Sequence, residues 1–581
     1  MTPEVTISDE RSGQSTRGQF RIALALSGGG FRAAIFHLGV IRRLEELGIM
    51  KDVDVISSVS GGSIVAAYYV CEMETRLRLE EPRRWRDTET RVAIFESIAK
   101  DFLKAVDHNL RTRALIFTPF FHPILFIKTL VLRAFRSGAR SELIQREYDR
   151  WFYDGHTIDQ LPSVTPEKSH AGGQVLYGPR IILNTTSLLT GERVSFSREP
   201  NSGMTEMKCS NKNNLPLSRV VGASSGVPVL FPPTYIFGNM LVDGGVADNQ
   251  GIEALLEHER LADEACIGKI LLVSDASGQL EAVHNISSGE ATVFGRVNSI
   301  LQFQVRSKLL DRLVQWKKDA GLARYFGFVH LFLNLKDRGV DERVPSEIIP
   351  AVARIRTDLD QFSLIEREAL MYHGYTLIDA QIREYCEPLR QAYPESHAVP
   401  LAQPPLFSAQ ALATTKKRDR IRKELEAGAQ KVFLIRCLKK YPYLVAPVFL
   451  LWAVAWGASL WWFFAKDTTA LMLAQNWING VLAGGTSGWV GAAFDWTLKY
   501  VGFQDHQRWV ADISRLLAVL LSAALVAAVA GYILSFPTYR AVRHLAMAAD
   551  RLKYRSLTGM KPSVHWNRPE RPTEVGREAS A

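Results

Sequence analysis

The sequence predicts an α/β fold with a mainly parallel central sheet, followed by a C-terminal two-helix transmembrane hairpin. Three observations carry this expectation. From about residue 20 to 395, apolar runs of strand length alternate with amphipathic helical stretches, the pattern of a sheet covered by crossover helices. Glycine-rich and serine-rich turns stand at the first two strand-to-helix junctions. After residue 440 come two uncharged apolar runs of 23 and 21 residues, each long enough to cross a bilayer at about 1.5 Å per residue.

The chain has 581 residues and a formal net charge of +10. That charge calls for an anionic partner. Its basic residues cluster beside apolar stretches, which favours the anionic headgroups of membrane phospholipids over nucleic acid. Five dispersed cysteines (Cys71, Cys209, Cys266, Cys386, Cys437) include no Cys-x-x-Cys pair. They read as reduced intracellular thiols, and neither a metal site nor a cofactor is expected. Residues 1–20 form a polar, charged tail without the apolar core of a secretory signal, so the bulk of the chain is expected in the cytoplasm.

The first domain is expected over 21–395, with strands at 22–26, 53–57, 180–185 and 269–274. Helical patterns cover 33–47, the stretch from Ser63 onward, and 358–385, which closes the domain. The stretch 275–357 has no assignment. Residues 114–135 are very apolar but broken by Pro119, Pro123, Lys128 and Arg133. They read equally as an interfacial flap and as a buried helix with a kinked start. Residues 396–415 have the Pro, Ala and Gln content of a linker, and 416–440 hold ten basic and three acidic residues. The hairpin region is 441–537, with spans at 443–465 and 516–536. A basic polar tail, 538–581, follows. Basic flanks outside both spans place the domain and the tail on the cytoplasmic side.

The chemistry concentrates in residues 22–65. A strand runs into Gly28, Gly29 and Gly30 and then a helix, so backbone N–H groups are available to an oxyanion. A second strand runs into Ser58-Val59-Ser60-Gly61-Gly62 and another helix. A nucleophile elbow is crowded and needs small residues two before and two after its serine. Ser60 has Ser58 and Gly62 at those places. Ser58 would have Ile56 before it, Ser63 would have Val65 after it, and Ser57 lies in the strand. None of the thirteen histidines falls in a catalytic turn, and His37 reads as a packed helix residue. A strand instead delivers Asp243 into the tight turn Asp243-Gly244-Gly245.

These blocks resemble the patatin-like phospholipases over roughly residues 20 to 390. Gly28 to Ala33 is similar to their oxyanion loop, Ser58 to Gly62 to their serine elbow, and Asp243-Gly244-Gly245 to their aspartate motif. Ala223 to Pro228, running on to Pro233, and the stretch 185–194 agree as well. There are three departures. Ser58 and Ala33 stand where the family has glycines, and Asn249-Gln250 stands where it has Asn-Pro.

The resemblance implies a patatin-like three-layer fold and a Ser60–Asp243 dyad. It also implies an oxyanion hole at Gly28, Gly29 and Gly30, framed by the elbow residues Ser58, Gly61 and Gly62. Arg32 would support the loop or meet a lipid phosphate. The implied activity is hydrolysis of phospholipid or lysophospholipid acyl esters. Neutral-lipid hydrolysis, acyl transfer and a non-catalytic membrane scaffold are the alternatives.

Overall fold

The computed structural model describes residues 20–112, 139–162, 178–198, 206–208, 215–228, 231–259, 268–278, 280, 289–318, 323–340, 342–394, 403–408 and 412–429. They belong to one compact unit. A second unit, residues 115–137 and 432–552, lies outside them, as do the expected spans, the apolar segment 114–135 and the tail 538–581. Among the described residues no helix is long and apolar enough to cross a membrane.

The sheet is built from β1 (Phe20–Leu26), β2 (Val53–Val59), β3 (Arg180–Ser187), β4 (Arg193–Ser197), β5 (Glu206–Lys208), β6 (Thr234–Ile236), β7 (Asn239–Asp243), β8 (Gly268–Asp275) and β9 (Ala323–His330). The strand order is β5-β4-β3-β2-β1-β8-β9, with β7 pairing β3 and β6 pairing β7. The centre, β3-β2-β1-β8-β9, is parallel as expected. The edge is not, so the whole sheet is mixed. The connections from β3 to β4 and from β6 to β7 are too short for a crossover and fold back as antiparallel hairpins.

Alternation along the central strands explains the layering. Ile22, Leu24 and Leu26 of β1, with Ile270 and Leu272 of β8, face one core. Ala25, Leu271 and Val273 face the other, together with Val55 and Ile182. The first core is covered by helices α1 (Gly30–Glu46), α2 (Gly61–Leu77), α3 (Thr88–Val106) and, later in the chain, Leu364–Tyr385. The second is covered by α4 (Ile252–Glu259) and α5 (Glu290–Lys318) through Ile252, Leu255 and Leu313. Three layers result, as the resemblance implies.

Two boundaries differ from expectation. The closing helix, α6, is Leu364–Tyr385 and does not begin at 358: Ser363 and Glu366 form a capping box that fixes its start. The expected linker and the basic stretch after it are also partly structured. Pro405–Phe407 forms a turn whose Phe407 ring stacks on Tyr372, 4.9 Å between centroids. Helix α7, Thr415–Ala429, buries Ile421 and Leu425 in the first core. Arg356 donates to both the Gly428 carbonyl (3.2 Å) and Glu366 (2.5 Å). Composition reflects local conformation and is blind to these long-range contacts.

Candidate active site

The sheet register brings the two halves of the site together. Strand β2 pairs with β3 as far as Val59 opposite Asn184 and then leaves the sheet at Ser60. Strand β4 occupies the other side of β3, so β7 must enter the lane that β2 vacates, and it runs in the opposite direction. It ends with Asp243 opposite Thr185, the next residue of β3. Two strand ends therefore meet head-on, one carrying a serine and the other an aspartate.

Ser60 has φ 51° and ψ −116°, a strained conformation for a residue with a side chain. The turn is held there from several sides. The Ser60 N–H donates to Ser224 Oγ at 3.0 Å, and Ser224 Oγ donates to the Asn184 carbonyl at 2.7 Å. Asn184 Nδ2 donates to Ser57 Oγ (2.9 Å) and to the Ser58 carbonyl (3.0 Å). Ser63 Oγ lies 2.9 Å from Ser224 Oγ and 3.2 Å from Ser58 Oγ, so the small residue at 58 also serves the network. A Cβ at Gly61 would overlap the Gly30 carbonyl oxygen, so only glycine lets the first turns of α1 and α2 approach this closely. The Gly62 N–H donates to the Ser27 carbonyl at 3.2 Å.

The Asp243 carboxylate lies beside the Ser60 hydroxyl, which helps to stabilise its charged form. Both side chains are buried, at 4% and 7% exposure. Asp243 Oδ1 accepts the Gly245 N–H at 2.7 Å. Burial penalises the carboxylate and raises its pKa to about 6, while the Gly245 bond and the neighbouring Ser60 hydroxyl hold the rise in check. Tyr148 is fully buried nearby and donates no charge: burial keeps its phenol neutral, and its oxygen accepts from Ser225 Oγ at 3.0 Å.

The glycine loop divides its donors. The Gly28 N–H donates to the Asn249 carbonyl at 2.9 Å, which removes Gly28 from the expected oxyanion hole. Its work is to tie the loop to the turn beyond Asp243. The N–H groups of Gly29, Gly30 and Gly61 find no acceptor among the described residues, and all three stand at the first turns of α1 and α2. Those positions combine free donors with the positive ends of two helix dipoles. Arg32 is buried. Its Nη1 donates to the Ile355 carbonyl (2.9 Å) and its Nη2 to the Ala276 carbonyl (3.0 Å), a loop-support geometry.

Among the described residues no histidine hydrogen-bonds Ser60 or Asp243. His37 is fully buried between Ser274 Oγ (2.8 Å) and the Ser27 carbonyl (3.0 Å), and burial lowers its pKa to about 4. His373 is lowered to about 4 in the same way and bonds the Leu331 carbonyl. Among the described residues no cluster of metal-ligating side chains exists. The chemistry open to this arrangement is proton transfer from a serine to a buried carboxylate beside an electropositive cradle.

The patatin-like phospholipase pattern matches residues 24–256, a span that contains Gly28–Gly30, Ser60 and Asp243. This segment belongs to the patatin-like phospholipase family. The family acts on lipid esters, and the patatin-like domain here carries its fold with a mixed sheet.

No curated protein matches the chain in sequence. Among solved structures, VipD from Legionella pneumophila is 13% identical, covering 95% of this chain and 89% of its own, with a TM-score of 0.25. Human GIVD cytosolic phospholipase A2, bound to a methyl gamma-linolenyl fluorophosphonate inhibitor, is 12% identical with a TM-score of 0.35. There the match covers 67% of this chain and only 61% of the human one. ExoU from Pseudomonas aeruginosa, in complex with SpcU, is 13% identical over 73% of this chain and 89% of its own, with a TM-score of 0.20. Likenesses at this level carry no weight for mechanism.

The patatin-like domain also uses residues that a sequence reading passes over. Ser224 and Asn184 shape the elbow, and Asp358 holds α1 by accepting the Phe31 N–H at 2.8 Å. Their types are ordinary, and only the fold brings them to the site.

Proposed function

We propose that this protein is a membrane-anchored lipid acyl hydrolase that cleaves phospholipid or lysophospholipid esters with Ser60 as nucleophile and Asp243 as base. The observation that carries the proposal is the placement of a serine in a strained strand-to-helix turn beside a buried aspartate of raised proton affinity. Asp243 takes the Ser60 proton as Oγ attacks the ester carbonyl. The N–H groups of Gly29 and Gly30, with that of Gly61, receive the oxyanion. Collapse of the tetrahedral intermediate expels the alcohol, which takes the proton from Asp243, and leaves an acyl ester on Ser60. Asp243 then deprotonates a water that attacks this ester, and the proton returns to Ser60 as the fatty acid leaves. The runs 443–465 and 516–536 anchor the chain with its catalytic domain in the cytoplasm, facing anionic headgroups.

Mass spectrometry of lipids incubated with the purified protein tests the assignment. Ser60→Ala and Asp243→Asn are each expected to abolish fatty-acid release while keeping a cooperative melt. Full release by either folded variant overturns the dyad. A serine-reactive fluorophosphonate probe should label the wild type and not Ser60→Ala.

A further inference from the structure

Beyond the catalytic pair, the sheet register raises a second structure above it. Strand β3 continues past the level of Ser60 and Asp243 to Ser187, and the Leu188 N–H then donates to the Met240 carbonyl at 2.8 Å. Strand β7 begins at Asn239, so its hairpin with β6 projects in the same direction. At about 3.3 Å per residue, Leu188 stands about 10 Å and the Phe237-Gly238 tip about 20 Å outward from the catalytic level. This is the edge where the parallel strands end, the side from which an open α/β sheet receives ligands.

That projection carries large apolar side chains into solvent. Leu188, Leu189, Tyr235 and Phe237 are all exposed, Leu189 at 62% and Phe237 at 45%. Val227 and Val246, on the two turns flanking Asp243, are exposed as well and continue the surface down to the site. Large apolar side chains exposed together on one edge mark an interaction face. The hairpin tip gives independent support. Phe237 and Gly238 both have positive φ, 47° and 80°, the pattern of a two-residue type I′ turn. That turn favours Asn-Gly. An aromatic side chain is strained there, yet Phe237 leaves 45% of its surface exposed. Turn stability alone would not select it.

Resting on the hydrolase reading above, we propose that this rim is the face that enters a lipid surface and brings membrane lipid to Ser60. Leucine and phenylalanine reach the acyl boundary, and Tyr235 suits the interface because its ring is apolar and its hydroxyl wet. The exposed Arg219 guanidinium donates to the Tyr235 carbonyl at 2.5 Å, which sets a cation at headgroup depth. Glu192, on the adjoining turn, is an exposed acidic group. The apolar area therefore supplies the attraction, and charge adjusts it.

The test compares full-length wild type with Phe237→Asn and Leu189→Ser on two substrates. One is phosphatidylglycerol–phosphatidylcholine in large unilamellar vesicles; the other is dissolved p-nitrophenyl butyrate. Vesicle hydrolysis is expected to fall about tenfold or more in each variant, while soluble-ester turnover stays within about twofold. Phe237→Asn should melt no lower than wild type, because asparagine tolerates positive φ. Equal losses on both substrates, or none on vesicles, overturn the assignment to a lipid surface. So does a dimer that Phe237→Asn dissolves without slowing vesicle turnover, which would give the rim to a second copy. Wild type that turns over the soluble ester through Ser60 but leaves vesicles intact overturns the rim alone. Hydrolysis that survives Ser60→Ala overturns the hydrolase reading and the rim with it.

Discussion

A base that must take a proton from a serine benefits from a proton affinity near the working pH, and burial gives Asp243 that property. With its pKa raised to about 6, kcat/KM should climb as pH rises through about 6 and then level, since the protonated carboxyl accepts nothing. The same shift has a sign for stability. The folded state holds the proton more tightly than the unfolded chain, so Asp243 favours folding below the ordinary carboxylate range and opposes it once pH passes about 6. At pH 7 the charged group costs about 2–3 kcal/mol. Asp243→Asn should therefore melt higher than wild type at pH 7, and the gap should shrink at pH 4.5. A lower melt at pH 7 would contradict the burial argument. Ser224 is the second residue whose loss is readable. Ser224→Ala leaves the Ser60 N–H without an acceptor in a buried turn, and kcat should fall about 10- to 100-fold, because small misplacements near the reacting atoms have that effect. Steady-state kinetics on the soluble ester check it. Ser60 and Asp243 were legible because turn sterics act over a few residues, and those residues are adjacent in the chain. Ser224 was not, because its hydroxyl reaches Ser60 only through the packing of a helix 164 positions away.

The oxyanion loop shows how elements, more than single residues, position donors. Its root is held by two neighbours: the Asn249 carbonyl accepts from Gly28, and Ser27 Oγ accepts the Ala276 N–H at 2.8 Å. Those neighbours are clamped to one another. Gln250 Nε2 donates to Asp275 Oδ2 at 2.7 Å, and Arg306 on α5 pairs with the same oxygen at 2.8 Å. Gln250 and Asp275 are fully buried, and Gln250 Oε1 has no hydrogen-bond partner among the described residues. A half-satisfied buried amide is poor for stability, so Gln250→Met, which keeps the length and removes the orphan oxygen, should alter the melt by no more than about 1–2 kcal/mol. Its effect should fall on catalysis: kcat down about tenfold with KM unchanged, since donors to the oxyanion act only in the transition state. A rise in KM with kcat intact would assign Gln250 to substrate binding instead. Sequence pattern marked Asn249-Gln250 as a departure from the family, but a departure alone does not say which carboxylate the amide will meet. Strands and helices of the centre, in contrast, followed from periodicity, because each buried face repeats along a single element.

At the scale of the molecule, the family match at 24–256 holds Gly28–Gly30, Ser60 and Asp243 without completing the domain. Strands β8 and β9 lie beyond it and finish the parallel centre, and α6 and α7 lie further on and seal the first core. The basic stretch that composition assigns to headgroups is partly committed elsewhere. Arg418 pairs with Glu347, Arg420 with Glu424, and Arg422 with Asp419 and Glu426. Charge counting along the chain does not register these pairs, since it sees neither the helix nor the surface it packs on. The consequence is testable at Leu425, which is fully buried 169 residues past the end of the family match. Leu425→Asp places an unpaired carboxylate in the first core, an effect of several kcal/mol against a total stability of about 5–15 kcal/mol. The variant should lose its cooperative melt, become cleavable by thermolysin within the catalytic domain, and stop labelling with fluorophosphonate at Ser60. Lys416→Asp, an exposed change of the same charge sense on the same helix, should shift stability by no more than about 0.5 kcal/mol. A flexible linker would tolerate both substitutions alike, so the contrast between them decides whether the patatin-like domain ends near 395 or is built through Ala429.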